Sequence, residues 1–332
     1  MKVAELRQKI QDYDSDKLKR VILEMYKVVP KSLKEARGID SIILNPDTRP
    51  AKPREPATRD LAEIRSETEE FLLHAYSQYY FAPNSVVPKK KRPQWRFTVR
   101  RLFKELVHAA ENPNDVLASG HLLKSLYEML CYSCRYVLFS AYDPFESVGI
   151  RQVDFFRVVL DIEKKVEQSR GFVRSSVLMA LSNSLNRYTL REELFEIVIA
   201  CLETADLKEI AIEVCDDLRK DATAGRLRDI EPFSKDGESY RAKEFVKNLA
   251  VLGWMCHMAL DQPDHAVGYF RQHYAERDPE IALYVLLRLI GHCQSWALWL
   301  RIYEEALGSG VRPREELQRR YKEIRDASHH EH

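Results

Sequence analysis

Apolar residues recur three and four positions apart from Ala57 to Ile324, the spacing that lines one face of an α-helix. Ahead of that stretch, a first helix is expected near residues 3–12. Asp14 and Ser15 are candidate caps for a second, which places Leu18, Val21, Ile22, Met25 and Val28 on one stripe until Val29-Pro30 stops it. A third short run ends near Gly38. Residues 45–56 carry four prolines among charged side chains and read as an exposed loop. Thr58 is the expected cap of a long helix bearing Leu61, Ile64, Phe71, Leu72, Ala75 and Tyr79 and breaking at Ala82-Pro83.

Further helices are expected near 94–111, 115–142 and 151–167, the last with Val153, Phe156, Val159 and Leu160 in its stripe. Ser169, Thr189 and Asp206 are the expected N-caps of the next three. Glu192 and Glu209 follow the latter two by three residues, where a carboxylate completes a capping box. The periodicity lapses over 223–239. The expected organisation is therefore a helical domain over 1–222, with loops 45–56 and 82–93 inside it, a linker over 223–239, and a helix-pair array over 240–328. Asp261, Asp278 and Ser295 precede helical runs 17 residues apart, and Pro313 opens the last run. A helix pair then repeats about every 34 residues, the tetratricopeptide period. Tryptophan, glycine, alanine and proline do not follow that motif's own pattern. The fold class expected is all-α, a helical-repeat (TPR-like or α-solenoid) architecture with an N-terminal helical region.

Composition sharpens this picture. Only 11 of 332 residues are glycine, where about 7% is usual, leaving little material for tight strand turns or phosphate-cradling loops. The 52 basic and 51 acidic residues give a net charge of +1, so any attraction to DNA or an acidic membrane has to be local. The N-terminal residues lack the apolar core of a signal peptide. The greasiest stretches, from Met129 and Ile281, are interrupted by Arg135 and Arg288 and fall short of the roughly 20 residues that span a bilayer. No membrane partner is expected. Six scattered cysteines in apolar runs read as reduced thiols in a cytoplasmic protein.

One local feature breaks the charge balance. Lys89, Lys90, Lys91, Arg92, Arg96, Arg100, Arg101 and Lys104 supply eight cations before the first acid, Glu105, with Trp95 and Phe97 interleaved. Cations at a helix start oppose its dipole, and an anionic partner would relieve that repulsion. The plainer reading is a solvated loop whose Trp95, Val99, Leu102 and Phe103 pack the core. Cys131 and Cys134 form a C-x-x-C pair without the second pair or histidines that zinc requires. Glu105 and His108 form a single E-x-x-H where di-iron bundles use two. Cys256-His257 and His292-Cys293 sit beside Trp254 and Trp296 and read as packing. Glu209, Glu213, Asp216 and Asp217 read as the wet face of an amphipathic helix. No Walker loop, nucleotide-binding glycine fingerprint or nucleophile elbow is present. No catalytic residue, metal site or cofactor is assigned.

The opening LRQKIQDYDSDKLKRVILEMYKVVP, the LNPD at Leu44 and the RFTVRRLFKEL from Arg96 resemble an uncharacterised bacterial family of small helical proteins, the domain of unknown function DUF 6155. The resemblance covers about residues 5–220. It implies an all-helical fold and no established activity. The function expected is a non-enzymatic interaction or scaffold protein that binds a protein or peptide through its helical surface. Tyr269, His273, Tyr274, Tyr284, Trp299 and Tyr303 are its expected contacts. The alternative is a nucleic-acid-associated protein using residues 89–104, and a metal-dependent enzyme comes third.

Overall fold

The computed structural model describes residues 3–31, 34, 39–44, 59–227 and 240–330. The expected loop over 45–56, the Thr58 cap and the run ending at Gly38 lie outside the described residues. Among the described residues there are helices and no strand, so the fold is all-α. The chain forms two compact units, residues 1–59 and 60–332.

The first unit holds α1 (Val3–Gln11), α2 (Ser15–Val28) and α3 (Ile39–Leu44). Asp14 caps α2, its carboxylate accepting from the Lys17 amide at 2.7 Å. Val29 ends that helix in an extended conformation, as the following proline requires. The Tyr26 hydroxyl donates to Asp40 at 2.8 Å. The expected apolar stripe of α2 is present, but Ile22, Met25 and Val28 are exposed.

The second unit contains α4 (Leu61–Tyr76), α5 (Trp95–Ala109), α6 (Val116–Ser133), α7 (Pro144–Val148), α8 (Gln152–Val166), α9 (Arg170–Ser182), α10 (Arg191–Cys201) and α11 (Ala205–Thr223). It continues with α12 (Tyr240–Ala259), α13 (Pro263–His273), α14 (Pro279–His292), α15 (Trp296–Gly308) and α16 (Glu315–His330). α11 and α12 pack directly on one another, so the expected linker joins two helices of one unit; residues 228–239 lie outside the described residues.

Helices pack chiefly on their sequence neighbours and on the next but one. α6 meets α8, α8 meets α10 and α10 meets α12, while α9 meets α11 on the other side. Side chains mark the same register. Lys124 of α6 pairs with Glu163 of α8 at 3.3 Å, and Arg174 of α9 with Asp221 of α11 at 3.2 Å. Arg271 of α13 pairs with Glu305 of α15 at 2.8 Å, and Arg314, just before α16, with Glu280 of α14 at 2.6 Å. The last two pairs each join residues 34 apart in sequence. The three more exposed of these pairs contribute about 0–1 kcal/mol each, so they report register more than they supply stability.

Apolar burial holds the stack together. Trp95 stacks on Phe139 at 3.9 Å between centroids, and Tyr127 sits among Phe145, Phe155 and Phe156. One buried polar node ties three elements. Gln152, fully buried, donates to the Ser184 carbonyl at 2.9 Å, to Cys131 Sγ at 3.3 Å and to the Tyr127 hydroxyl at 3.4 Å, and accepts from the Asn186 amide at 2.8 Å. Arg191, largely buried, donates to the carbonyls of Ala180 and Asn183 and so satisfies the end of α9.

Helix ends depart from the expected ones for local reasons. α4 stops at Tyr76, six residues before Ala82-Pro83, because Gln78 turns left-handed (φ 60°) and its side-chain amide donates to the Val137 carbonyl at 2.9 Å. Ser169 and Asp278 cap as expected, accepting from Gly171 and Glu280 amides. Thr189 does not cap: Leu190 occupies the N-cap of α10 and its amide donates to Glu193 at 2.7 Å. Thr204, not Asp206, caps α11 through the Leu207 amide. Asp261 is left-handed (φ 56°) and follows the end of α12, while Gln262 and Pro263 open α13. Gln294 is likewise left-handed (φ 53°) after α14.

Candidate functional site

The eight cations of residues 89–104 divide into two groups. Arg92 donates to the carbonyls of Val87 at 3.1 Å and Asn84 at 3.3 Å, which pins the loop before it. Asn84 completes that loop by accepting from the Val86 and Val87 amides at 3.0 and 2.7 Å. Arg100 donates to the Val148 carbonyl at 2.7 Å, beneath Gly149, whose φ of 74° is left-handed. A side chain on Gly149 would meet the Arg100 guanidinium at 2.6 Å. Arg101 pairs with Glu67 and Glu105. Lys89, Lys90, Lys91, Arg96 and Lys104 remain exposed, Arg96 with its guanidinium 5.0 Å from the centroid of the exposed Phe97 ring.

The expected C-terminal contacts also divide. Tyr269, Trp299 and Tyr303 are buried, the last two stacked at 5.4 Å, and serve to hold helices together. His273, Tyr274 and Tyr284 are half-buried. Tyr274 faces a hollow of about 390 Å³ between α10, α12 and α14, together with Arg191, Lys247, Asn248 and Arg288. Tyr284 lies in a second hollow of about 340 Å³ between α14, α15 and α16, with Trp296 and Arg320. Arg288 lines both. Arg288 also pairs with Glu192, joining α14 to α10 across the α12 floor. Arg320 lies over Trp296 at 5.2 Å and Arg314 over Tyr284 at 4.2 Å.

α11, α12 and α13 also line an open cleft of about 870 Å³ with a convergent polar network. Arg219 donates to Tyr269 at 2.6 Å, to His273 Nδ1 at 2.8 Å and to Asp216 at 3.1 Å, and the Tyr269 hydroxyl donates to Asp216 at 2.8 Å. Gly253 makes room for it, since a Cβ there would overlap the Tyr269 ring. A guanidinium only donates, so His273 accepts through Nδ1 and carries its proton on Nε2. Burial, then Arg219, lowers the His273 pKa below its ordinary 6.5, with Asp216 opposing. Burial likewise holds the Tyr269 phenol protonated. The neutral imidazole thus contributes stability fully present above about pH 6.5 and lost as pH falls from there through the lowered folded value. Melting temperature measured from pH 8 to 5 should show the gap between wild type and His273→Gln narrowing below about pH 6.5. A constant gap would remove the imidazole from this role.

The remaining motifs resolve into packing and ion pairs. Cys131 is buried beside Tyr127, and Cys134 Sγ donates to the Leu130 carbonyl at 3.4 Å. Burial pushes both thiols up, Cys134 to about 12. Cys201 is raised to about 11 and Cys256 to about 12 by the same cause. Glu105 pairs with Arg101, while His108 meets Glu111 at 3.1 Å. Glu213 and Asp217 pair with Arg170, and Glu209 is exposed. Cys256 is buried; His292 and Cys293 are exposed. Among the described residues no three histidine, cysteine or carboxylate side chains gather as metal ligands, and no helix is long and apolar enough to cross a membrane.

No protein-family model, curated protein or solved structure matches the chain. The resemblance of residues 5–220 therefore rests on its helix and turn residues alone.

Proposed function

We propose that the chain is a non-enzymatic, helical-repeat interaction protein whose furrow over α10, α12, α14 and α16 takes an extended protein segment. The observation that carries this reading is that Arg288 borders two neighbouring hollows, one lined by α10, α12 and α14 and the other by α14, α15 and α16. A stack in which helices meet mainly near neighbours presents a continuous surface of this kind, as α-solenoids do. Aromatic faces with cations beside them (Tyr274, Tyr284 and Trp296 with Lys247, Arg288 and Arg320) give such a surface both apolar area and charge-assisted donors. The buried thiols, held protonated, suit a reducing compartment such as the cytoplasm.

Binding to an arrayed peptide library tests the reading. Peptides retained by the wild-type chain should bind about tenfold or more weakly to Tyr240→Ala/Asn248→Ala, both of which line the furrow. Equal retention by that variant, with unaltered melting, would move the binding surface elsewhere.

A further inference from the structure

Residues 71–104 contain no aspartate or glutamate, a run of 34 positions. Within it, Arg92, Arg100 and Arg101 are committed to backbone carbonyls or to Glu67 and Glu105. The other five cations stand exposed, Lys89, Lys90 and Lys91 on a loop that is already ordered and Arg96 and Lys104 on α5. Arg92 and Asn84 lock residues 84–87, the Lys91 amide donates to the Pro88 carbonyl at 2.8 Å, and the Gln94 amide to the Lys91 carbonyl at 3.0 Å. A single helical turn, Arg92–Gln94, leads straight into α5. Phe97, Arg101 and Lys104 then follow at the i, i+4, i+7 spacing of one helix face, about 10 Å long.

Phe97 is 54% exposed, in a helix that buries Trp95, Val99, Leu102 and Leu106. Its helical neighbour Arg96 lies over it. An exposed ring beside a guanidinium, flanked by cations free of carboxylate partners, offers the two things a single-stranded nucleic acid binds: a stacking platform for a base and donors for phosphates. We propose that the turn 89–91 and the outer face of α5 form a single-stranded nucleic-acid contact, with Lys89, Lys90, Lys91 and Lys104 on phosphates and Phe97 under a base. A duplex fits less well, because duplex readers usually present a broad positive face and this strip is narrow, bordered by Glu67 and Glu105 in a chain of net charge +1. A lipid surface fits less well because the Phe97 ring carries a guanidinium where a bare apolar wedge would be needed. This site is separate from the proposed peptide furrow.

The test is fluorescence anisotropy of the full chain with a labelled single-stranded oligouridine of about 12 nucleotides, titrated from about 50 to 200 mM salt. Four phosphate contacts give a slope of log affinity on log salt of about −3. Lys89→Ala/Lys90→Ala/Lys91→Ala should flatten it to about −1, whereas Phe97→Ala should weaken binding about tenfold and leave the slope unchanged. None of these side chains is buried, so melting should be unaltered in every variant. Three results overturn the proposal: no binding at low salt, a slope unchanged in the triple lysine variant, or full affinity in Phe97→Ala. Sedimentation with phosphatidylserine vesicles that requires the same lysines, in a chain that ignores the oligonucleotide, would assign the strip to membrane headgroups instead.

Discussion

Replacing Gln152 with leucine should lower stability by about 3 kcal/mol, among the largest effects open to one substitution outside the aromatic core. Leucine keeps much of the volume and removes every hydrogen bond. The Ser184 carbonyl and the Asn186 amide then lose their partner, the Tyr127 hydroxyl keeps only the weakly bonding Cys131 thiol, and a group shut from water without a good partner costs roughly 1–3 kcal/mol. Ser184 and Asn186 are half-buried and recover part of their loss from solvent; Tyr127 is fully buried. For a unit this size the melting temperature should fall by about 6–12 °C. Adding Tyr127→Phe to the variant removes that poorly satisfied hydroxyl and should return up to about 1 kcal/mol. A loss below about 1 kcal/mol in the single variant would show that the node does not organise the α6–α8 junction.

Gly253→Ala should be the second large effect, and its sign is the informative part. Glycine to alanine inside a helix ordinarily gains about 1 kcal/mol. Here the added methyl would overlap the Tyr269 ring and come within 2.7 Å of its hydroxyl. Either α13 moves or Tyr269 leaves Arg219 and Asp216, and overpacking of this kind costs about 1–3 kcal/mol. In a Tyr269→Ala background the obstacle is gone, and the same substitution should become neutral or stabilising. Urea titration of the four chains of that cycle reads the coupling directly, and additive effects would rule out the close approach.

Much of the fold was legible because helical periodicity and caps are local signals. Asp14, Ser169 and Asp278 act where the sequence placed them, because each combines a side-chain acceptor with a free amide two or three residues on. The misplacements arose where two acceptors competed or a backbone angle intervened. Thr204 reaches an amide before Asp206 does, and the Glu193 carboxylate serves Leu190 from inside α10. Asp261 looks like a cap in sequence, yet it lies left-handed beyond the preceding helix. What periodicity could not supply was which of several similar side chains point inward. Trp299 and Tyr303 read as contacts and are core, and Arg100 reads as a surface cation and is held under Gly149 by a carbonyl 48 residues away. The Arg219 network joins residues 50 to 54 apart, and no local pattern announces it. In sequence Tyr269 and His273 read as contacts and Asp216 as part of an acidic face, and only the packing of α11 on α12 and α13 brings them together.

Three helix ends show how a chain sparing of glycine manages its corners. Gln78, Asp261 and Gln294 hold a backbone angle that side-chain-bearing residues enter at a cost of about 1–2 kcal/mol each, and only Gln78 offsets it with a bond of its own across to Val137. The protein consequently sits below the robustness its architecture permits. Glycine at any of these corners would return part of that cost, a margin against losses elsewhere in the molecule.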